Sequence, residues 1–280
     1  MNAHGTGDVS GSAALRLGNL KIVMKGAGDV ASGIAHRLFK ANFTHILMTE
    51  IPEPLSVRRS VSFCEAVWEG AMEVEGVRAE LIDNLGALTG VWERHCIAVI
   101  VDPRWTVIET LKPDVVIDAV MAKKNIGTKP QEAPLVIGVG PGFSAPEDVH
   151  AVVESNRGHN LGRTIYRGSA EPYTGVPGSV LGFTTERVLR SPAAGKVRHA
   201  KKIGDYIKKD EIVLYVGDVP VRGPFDGVLR GLIREIEVAA GEKIGDIDPR
   251  GLAEYCTTIS DKARAVGGGV LEAVMHAVNR

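Results

Sequence analysis

The chain has 280 residues, of which 44% are hydrophobic and 24% charged, with a formal net charge of -1. That length and balance fit two domains, or three small ones, of an ordinary globular protein. The near-zero charge and the 5% aromatic content exclude a basic nucleic-acid surface, a base-stacking platform and attraction to anionic membranes. The longest apolar runs, such as 97–101, are far too short to span a bilayer.

Residues 1–19 are small, polar and glycine-rich, with no basic start followed by an apolar block. They read as a disordered leader rather than a secretion signal. An apolar strand at 21–25 runs into Gly26-Ala27-Gly28-Asp29, and a helix at 30–41 opens behind it. Gly26 permits a tight turn, and Gly28 lets backbone N–H groups approach a pyrophosphate at the helix N-terminus. Ala31 takes the third small position, beside Ser32. The next strand, 45–49, ends in Glu50, about 20 residues on, where a carboxylate can hold a ribose hydroxyl. Strands follow at 71–74 and 77–82 around a Glu75-Gly76 turn, then a helix at 85–93, a strand at 97–101, a helix at 107–111, and strands at 115–119 and 135–139. Strands alternating with helices predict a Rossmann-like α/β domain over 20–145, its sheet mostly parallel and its ligand at the carboxyl ends of the strands. Those ends carry Arg58-Arg59, Asp102-Pro103-Arg104, Met121-Ala122-Lys123-Lys124-Asn125 and a second glycine turn, Gly140-Pro141-Gly142.

Residues 146–187 form a connector. A short helix is expected at 145–155, then a long polar loop with Asn156, Arg157, His159, Arg163 and Glu171. A loop of that length within a compact protein is usually functional, and its arginines and histidines favour order around an anionic ligand. His150 and Glu154 stand at i, i+4, with His159 beyond, but without a paired His-Glu-x-x-His pattern no metal site is expected. Cys64, Cys96 and Cys256 are scattered and frame neither a metal site nor disulfides, which fits a reducing cytoplasm.

Residues 188–250 contain a quasi-repeat: Pro192-Ala193-Ala194-Gly195-Lys196-Val197 is echoed by Pro224-Phe225-Asp226-Gly227-Val228-Leu229, and Ile203-Gly204-Asp205 by Ile244-Gly245-Asp246. Two such halves can interlock into a small all-β sandwich, which resembles the barrel-sandwich hybrid of biotinyl and lipoyl domains. The joining segment, Gly217-Asp218-Val219-Pro220-Val221-Arg222, lacks lysine, so a docking or substrate-covering role is expected rather than a swinging arm. Residues 251–280 end in a helix capped by Ser260. Its Gly267-Gly268-Gly269 run implies close packing back on the first domain or backbone approach to a ligand.

From about residue 20 to 275, these stretches together resemble the bacterial accessory proteins of selenium-dependent molybdenum hydroxylases. The matching stretches include Lys25-Gly26-Ala27-Gly28-Asp29, Thr49-Glu50-Ile51-Pro52, Val57-Arg58-Arg59, Ala119-Val120-Met121-Ala122-Lys123-Lys124-Asn125, Asn156-Arg157-Gly158-His159-Asn160-Leu161-Gly162-Arg163, Gly168-Ser169-Ala170-Glu171-Pro172 and Ile259-Ser260-Asp261-Lys262-Ala263-Arg264-Ala265. The resemblance implies a cytoplasmic maturation factor for a molybdenum enzyme. Its partners would be a nucleotide-containing small molecule and a client hydroxylase, with a homo-oligomeric state and no nucleic-acid or membrane partner.

The residues then divide by role. Gly26, Ala27, Gly28, Asp29, Ser32, Glu50, Arg58, Arg59, Lys124, Asn125, Arg157 and Arg163 are the expected binding set for NAD(P) or a molybdopterin dinucleotide. Lys123 and His159 are the acid/base candidates, and Cys256 the chalcogen-carrying thiol. Two other functions stay open: an NAD(P)-dependent oxidoreductase acting on a small molecule, and a non-catalytic chaperone docking a client enzyme.

Overall fold

The computed structural model describes residues 19–279, and the expected leader lies outside them but for its last residue. The first part of the chain runs β1 (Ile22–Lys25), α1 (Asp29–Lys40), β2 (Ile46–Glu50), α2 (Ala66–Glu69), β3 (Ala71–Val74), β4 (Val77–Ile82), α3 (Leu88–Glu93), β5 (Ile97–Val101), α4 (Val107–Leu111), β6 (Val115–Asp118) and β7 (Leu135–Val139). Then come β8 (Ser144–Ala145), β9 (Ala151–Val153), β10 (Thr164–Ile165) and β11 (Gly168–Ser169). A nine-stranded sheet has the order β10-β9-β7-β6-β1-β2-β5-β4-β3. Its strands are parallel from β9 to β4, with antiparallel strands β10 and β3 at the edges. From β1 the chain moves outward through β2 and β5, and from β6 outward through β7 and β9. The order therefore reverses between β1 and β6, and a crevice opens outside their carboxyl ends, where open α/β sheets take their ligands.

The strands are apolar on both faces because both faces are covered. Ile22, Met24, Ile46 and Met48 pack with α1 and with a C-terminal helix, α5 (Asp261–Val278). Val23, Leu47, Ala98 and Val116 pack on the other side with α3 and α4. The triple glycine of α5 reports close packing, as expected. A Cβ on Gly267 would lie 3.2 Å from the carbonyl oxygen of Gly33, and a Cβ on Gly33 only 2.6 Å from that of Ala263. The two helices meet backbone to backbone, so only small residues fit the seam.

The helix expected at 145–155 is not formed. Val149, Ala151, Val152 and Val153 are all fully buried, a run with no polar face, and β9 joins the sheet beside β7. Asp148 accepts from the Ser144 amide at 2.9 Å, and Nδ1 of His150 from the Val136 amide at 2.9 Å. Both side chains accept from backbone amides outside the segment, which ties it to β7 and to the loop before it.

The second part contains β12 (Val188–Arg190), β13 (Gly195–His199), β14 (Tyr206–Ile207), β15 (Ile212–Val216), β16 (Val219–Arg222), β17 (Gly227–Leu232), β18 (Glu237–Val238) and β19 (Lys243–Asp248). They form two four-stranded antiparallel sheets, β12-β19-β17-β14 and β16-β15-β13-β18. The quasi-repeat appears as an exchange: β14 of the first half pairs with β17 of the second, and β18 of the second with β13 of the first. Val197, Ile207, Leu214, Leu229 and Ile247 fill the core between them, joined by Val57 from the α/β part. The Leu232 amide donates to the Val57 carbonyl at 2.8 Å, Arg59 Nε donates to the Leu232 carbonyl at 2.7 Å, and Arg234 grips Glu65 at 2.7 Å and Glu69 at 2.5 Å. These contacts fix the β domain over the carboxyl ends of the sheet. Among the described residues no helix is long and apolar enough to cross a membrane.

Candidate functional site in the cleft between the sheet and the β domain

The loop after β1 is held tightly. Gly26 has φ +88°, a left-handed conformation that glycine tolerates, and a Cβ there would come within 3.3 Å of the Ala119 carbonyl at the end of β6. Ser32, fully buried, donates to the Ala27 carbonyl at 3.0 Å and accepts from the Phe63 amide at 2.7 Å. It ties helix to loop and does not face a ligand. Gly28 is the N-cap of α1 and faces open space.

Two carboxylates already occupy two of the amide donors at the glycine turn and helix N-terminus. Glu50 accepts from the Ala27 amide at 2.9 Å and from the Ile51 amide at 2.9 Å. Burial raises its pKa, against the lowering effect of the Ile51 and Ala27 hydrogen bonds. Asp29 opens α1 and accepts from its own neighbour Val30 at 2.9 Å, placing a negative charge where the helix dipole would have favoured a ligand's.

Across the crevice, the loop after β6 is strained. Met121 and Lys123 have φ +64° and +66°, a region that costs non-glycine residues energy and that clusters at functional sites. The second glycine turn wedges against this loop, with a Gly142 Cβ lying 2.5 Å from the Lys124 Cα. Asn125 shapes the same loop, donating to the Thr128 carbonyl at 2.9 Å and accepting from the amides of Gly127 and Thr128. Behind it lies a group that sequence reasoning left out. Lys25, fully buried on β1, donates to Thr128 at 2.7 Å and Glu132 at 2.8 Å and stands 4.0 Å from the centre of the Trp105 ring.

The connector loop is organised by Glu154, which is buried and accepts from the amides of Asn156 (2.7 Å) and Glu171 (2.6 Å). Glu171 in turn accepts from Asn156 and Asn160. Arg157 crosses to α5 and makes a two-pronged pair with Asp261. His159, Arg163 and Lys124 are exposed. His150, Glu154 and His159 do not form a ligand set, and no group of three metal-ligating side chains exists among the described residues.

The cleft consists of a cavity of about 330 Å³ adjoining one of about 620 Å³. Asp29, Arg58, Lys123, Tyr173 and Lys243 line both. Lys262, in the first turn of α5, lines the smaller. Its pKa is lowered to about 8, first by burial and then by the charge of Lys123, with Asp29 opposing. Burial also lowers Lys123, again against Asp29. Lys123, Lys262 and Asp29, drawn from three separate segments, thus share one pocket with Lys243.

The two adjacent arginines have different surroundings. Arg58, 5% exposed, donates to the carbonyls of Tyr255 at 2.7 Å and Thr258 at 3.0 Å. Arg59 is spent on the Leu232 carbonyl and lies 3.7 Å from Glu65. Cys256 is buried, and burial raises its pKa despite the nearby charges of Arg58 and Arg230. A thiol in that setting stays protonated and unreactive. Sequence reasoning missed Lys262, Arg187 and Arg230 as site residues; Lys262 alone lay inside a stretch already singled out.

No family model matches the chain. It is 48% identical over 259 residues to the uncharacterized protein YqeB of Escherichia coli (strain K12), covering 92% of this chain and 48% of that protein. The chain thus spans about half the length of that curated relative. Similar solved structures include an aspartoacylase family protein of Mesorhizobium loti, with a TM-score of 0.25, 9% identity, and coverage of 72% of this chain and 55% of the other. The product-bound ectoine utilization protein EutE (DoeB) of Ruegeria pomeroyi has a TM-score of 0.26 at 8% identity, over 81% of this chain and 84% of that one. A succinylglutamate desuccinylase/aspartoacylase of Rhodobacter sphaeroides has a TM-score of 0.26 at 11% identity, over 81% and 85%. Scores this low support no inference about fold or chemistry.

The expected membership of the selenium-dependent molybdenum hydroxylase accessory family is corrected. No family model matches the chain, and the curated relative that it matches is itself uncharacterized, so neither comparison carries the likeness. The maturation-factor, client-docking and Rossmann oxidoreductase readings are corrected with it. In the glycine turn, Glu50 and Asp29 themselves accept from the Ala27 and Val30 amides.

Proposed function

We propose that the chain binds a small anionic molecule, carrying carboxylate or phosphate groups, in the cleft between the sheet and the β domain, and moves a proton on it through Lys262. The observation that carries this reading is the convergence of Lys123 and Lys262 around Asp29 inside the 330 Å³ cavity. An ordinary lysine is almost wholly protonated at neutral pH. One titrating at about 8 is roughly one-tenth neutral at pH 7, enough to accept a proton and return it. Lys123, in the same cavity, suits the ligand's negative group. Asp29 balances part of the lysines' charge. We read the two interlocked sheets as a barrel-sandwich-hybrid-like cover that excludes water from this pocket. The free, buried cysteines support a reducing compartment such as the cytoplasm.

The test is a melting-temperature screen of the full chain against small carboxylates, inorganic phosphate, phosphate esters, NADH and NADPH. A ligand at 100 times its Kd adds about 2.7 kcal/mol of stability. The expected hit is an anion whose affinity falls as pH rises through about 8 and loses that dependence in Lys262→Met. A hit whose affinity and pH profile are the same in Lys262→Met would overturn the reading, as would a panel in which nothing binds.

A further inference from the structure

The smaller cavity holds a second kind of chemistry that the lysines do not explain. Nε and Nη1 of Arg58, Nε of Arg187 and Nε of Arg230 are buried N–H donors with no hydrogen-bond partner, and all three arginines line that cavity. Among the described residues, the other unpartnered buried donor is Trp68 Nε1. Buried donors are nearly always satisfied, so orphans on three residues that line one cavity call for an acceptor.

The charges are unbalanced in the same place. Arg187 pairs with Asp246 at 2.6 Å. Arg230 reaches Asp248 at 3.2 Å, and Asp248 is shared with Arg250 at 2.6 Å. Arg58 touches carbonyl oxygens alone and is repelled by Arg230. Two carboxylates therefore serve three guanidinium groups and Arg58 pairs with neither, while Lys243 and Lys262 line the same space as Arg58. Of the other carboxylates facing it, Asp29 is shared with the lysines and Glu171 is held by two asparagines. Arg58 and Arg230 are held too deeply to be charges merely bathed in water. Arg58 is 5% exposed and the Arg230 side chain 8%.

We propose that Arg58, Arg187 and Arg230 form a subsite for a tetrahedral oxyanion, the phosphate group of a small phosphate monoester or free phosphate itself. Their positions support the choice over a carboxylate. The three lie on separate segments, after β2, before β12 and within β17, and all line one cavity. A planar carboxylate fits one guanidinium fork, whereas a tetrahedral group offers three or four acceptor oxygens to several. A dianion would also bring the local charge close to balance. The inference rests on the proposed cleft only for the rest of the ligand; the anion pocket stands on its own residues.

The test is titration calorimetry of the full chain with inorganic phosphate, with methyl phosphate, sulfate and acetate as comparisons. Phosphate is expected to bind at one site and more tightly than acetate, and methyl phosphate at least as well as phosphate if the natural ligand is an ester. Arg58→Gln should weaken phosphate by about tenfold or more, the loss of a charged hydrogen bond. Arg187→Gln, less buried and less able to disturb folding, should weaken it in the same direction, and circular dichroism confirms that both variants fold. Phosphate affinity unchanged in folded Arg58→Gln and Arg187→Gln would overturn the subsite. So would phosphate that binds no better than acetate. Binding lost in Lys262→Met but kept in Arg58→Gln would move the anion to the lysines, overturning this inference and leaving the proposed function in place. The reverse pattern would leave the subsite in place and overturn the role of Lys262.

Discussion

Replacing Lys262 by methionine should stabilise the folded protein at neutral pH, although it removes a polar side chain from the cleft. The Lys262 pKa falls from its ordinary 10.5 to about 8, and each unit is worth about 1.4 kcal/mol, which sets a ceiling of about 3 kcal/mol. The sign follows from proton uptake. A lysine whose pKa is depressed on folding binds fewer protons folded than unfolded between the two values, so stability rises with pH across that window. Below about pH 8 the wild type carries the full cost of a charged ammonium buried beside Lys123. Above 10.5 that cost is gone. Methionine has a similar length and no charge, so Lys262→Met should gain up to about 3 kcal/mol at pH 7 and little at pH 10.5. Urea denaturation of both proteins across that range measures the gap. A variant that is less stable by the same amount at every pH would refute the claim that burial and the Lys123 charge set the titration of Lys262.

Ser32→Ala should cost about 1–3 kcal/mol, because it leaves the buried Phe63 amide without its 2.7 Å acceptor. Thermal unfolding would register it, and a loss below half a kcal/mol would mean that water or another group satisfies that amide. Asp248, 1% exposed, is pushed up by burial but brought down to about 2 by hydrogen bonds from Arg250 and the charges of Arg250 and Arg230. Its folded pKa lies below the ordinary 3.8, so its contribution of about 2 kcal/mol is present above pH 4 and lost as pH falls through about 2. The stability gap between wild type and Asp248→Asn should therefore close over pH 4 to 2, and a gap that stays constant in acid would rule the pairing out as its source.

The sheet was largely legible because its strands are short apolar runs punctuated by glycine and proline, a pattern that few other structures accommodate. Glycines 267–269 were legible for a similar reason, since glycine within a helix is costly unless another backbone lies against it. The segment 145–155 was not. Proline near its start, an i, i+4 acid–base pair and scattered valines satisfy a helical template, and only the availability of an open sheet edge beside β7 makes it a strand. The site divides along the same line. Gly26, Glu50 and Lys123 were visible because strand ends concentrate chemistry. That Glu50 turns back onto the Ala27 amide was not visible, because one carboxylate at one position can reach either a ligand or its own loop. Arg187, Arg230 and Lys262 were invisible as a group, since residues so far apart in sequence meet only through the docking of the β domain on the sheet.

That docking makes a distant residue matter to binding. The glycine turn and helix N-terminus, which would ordinarily supply positive potential, are neutralised by Glu50 and Asp29. The cleft's positive charge comes instead from side chains of several separate segments, and two of its arginines, Arg187 and Arg230, belong to the β domain or its entry. The pocket therefore exists only while that domain is seated. Glu65 seats it from outside the cleft: its carboxylate, 7% exposed, receives both Nε (3.0 Å) and Nη2 (2.7 Å) of Arg234. Glu65→Gln removes the charge from that clamp and should cost about 1–3 kcal/mol of stability, the range for a buried charged hydrogen bond. Because neither Glu65 nor Arg234 lines the cavity, any accompanying drop in affinity for inorganic phosphate must act through the seating of the domain. Calorimetry and urea denaturation on the same variant separate the two effects. If stability falls while phosphate affinity holds, the arginines keep their places without the clamp, and the cleft is built more rigidly than this coupling requires.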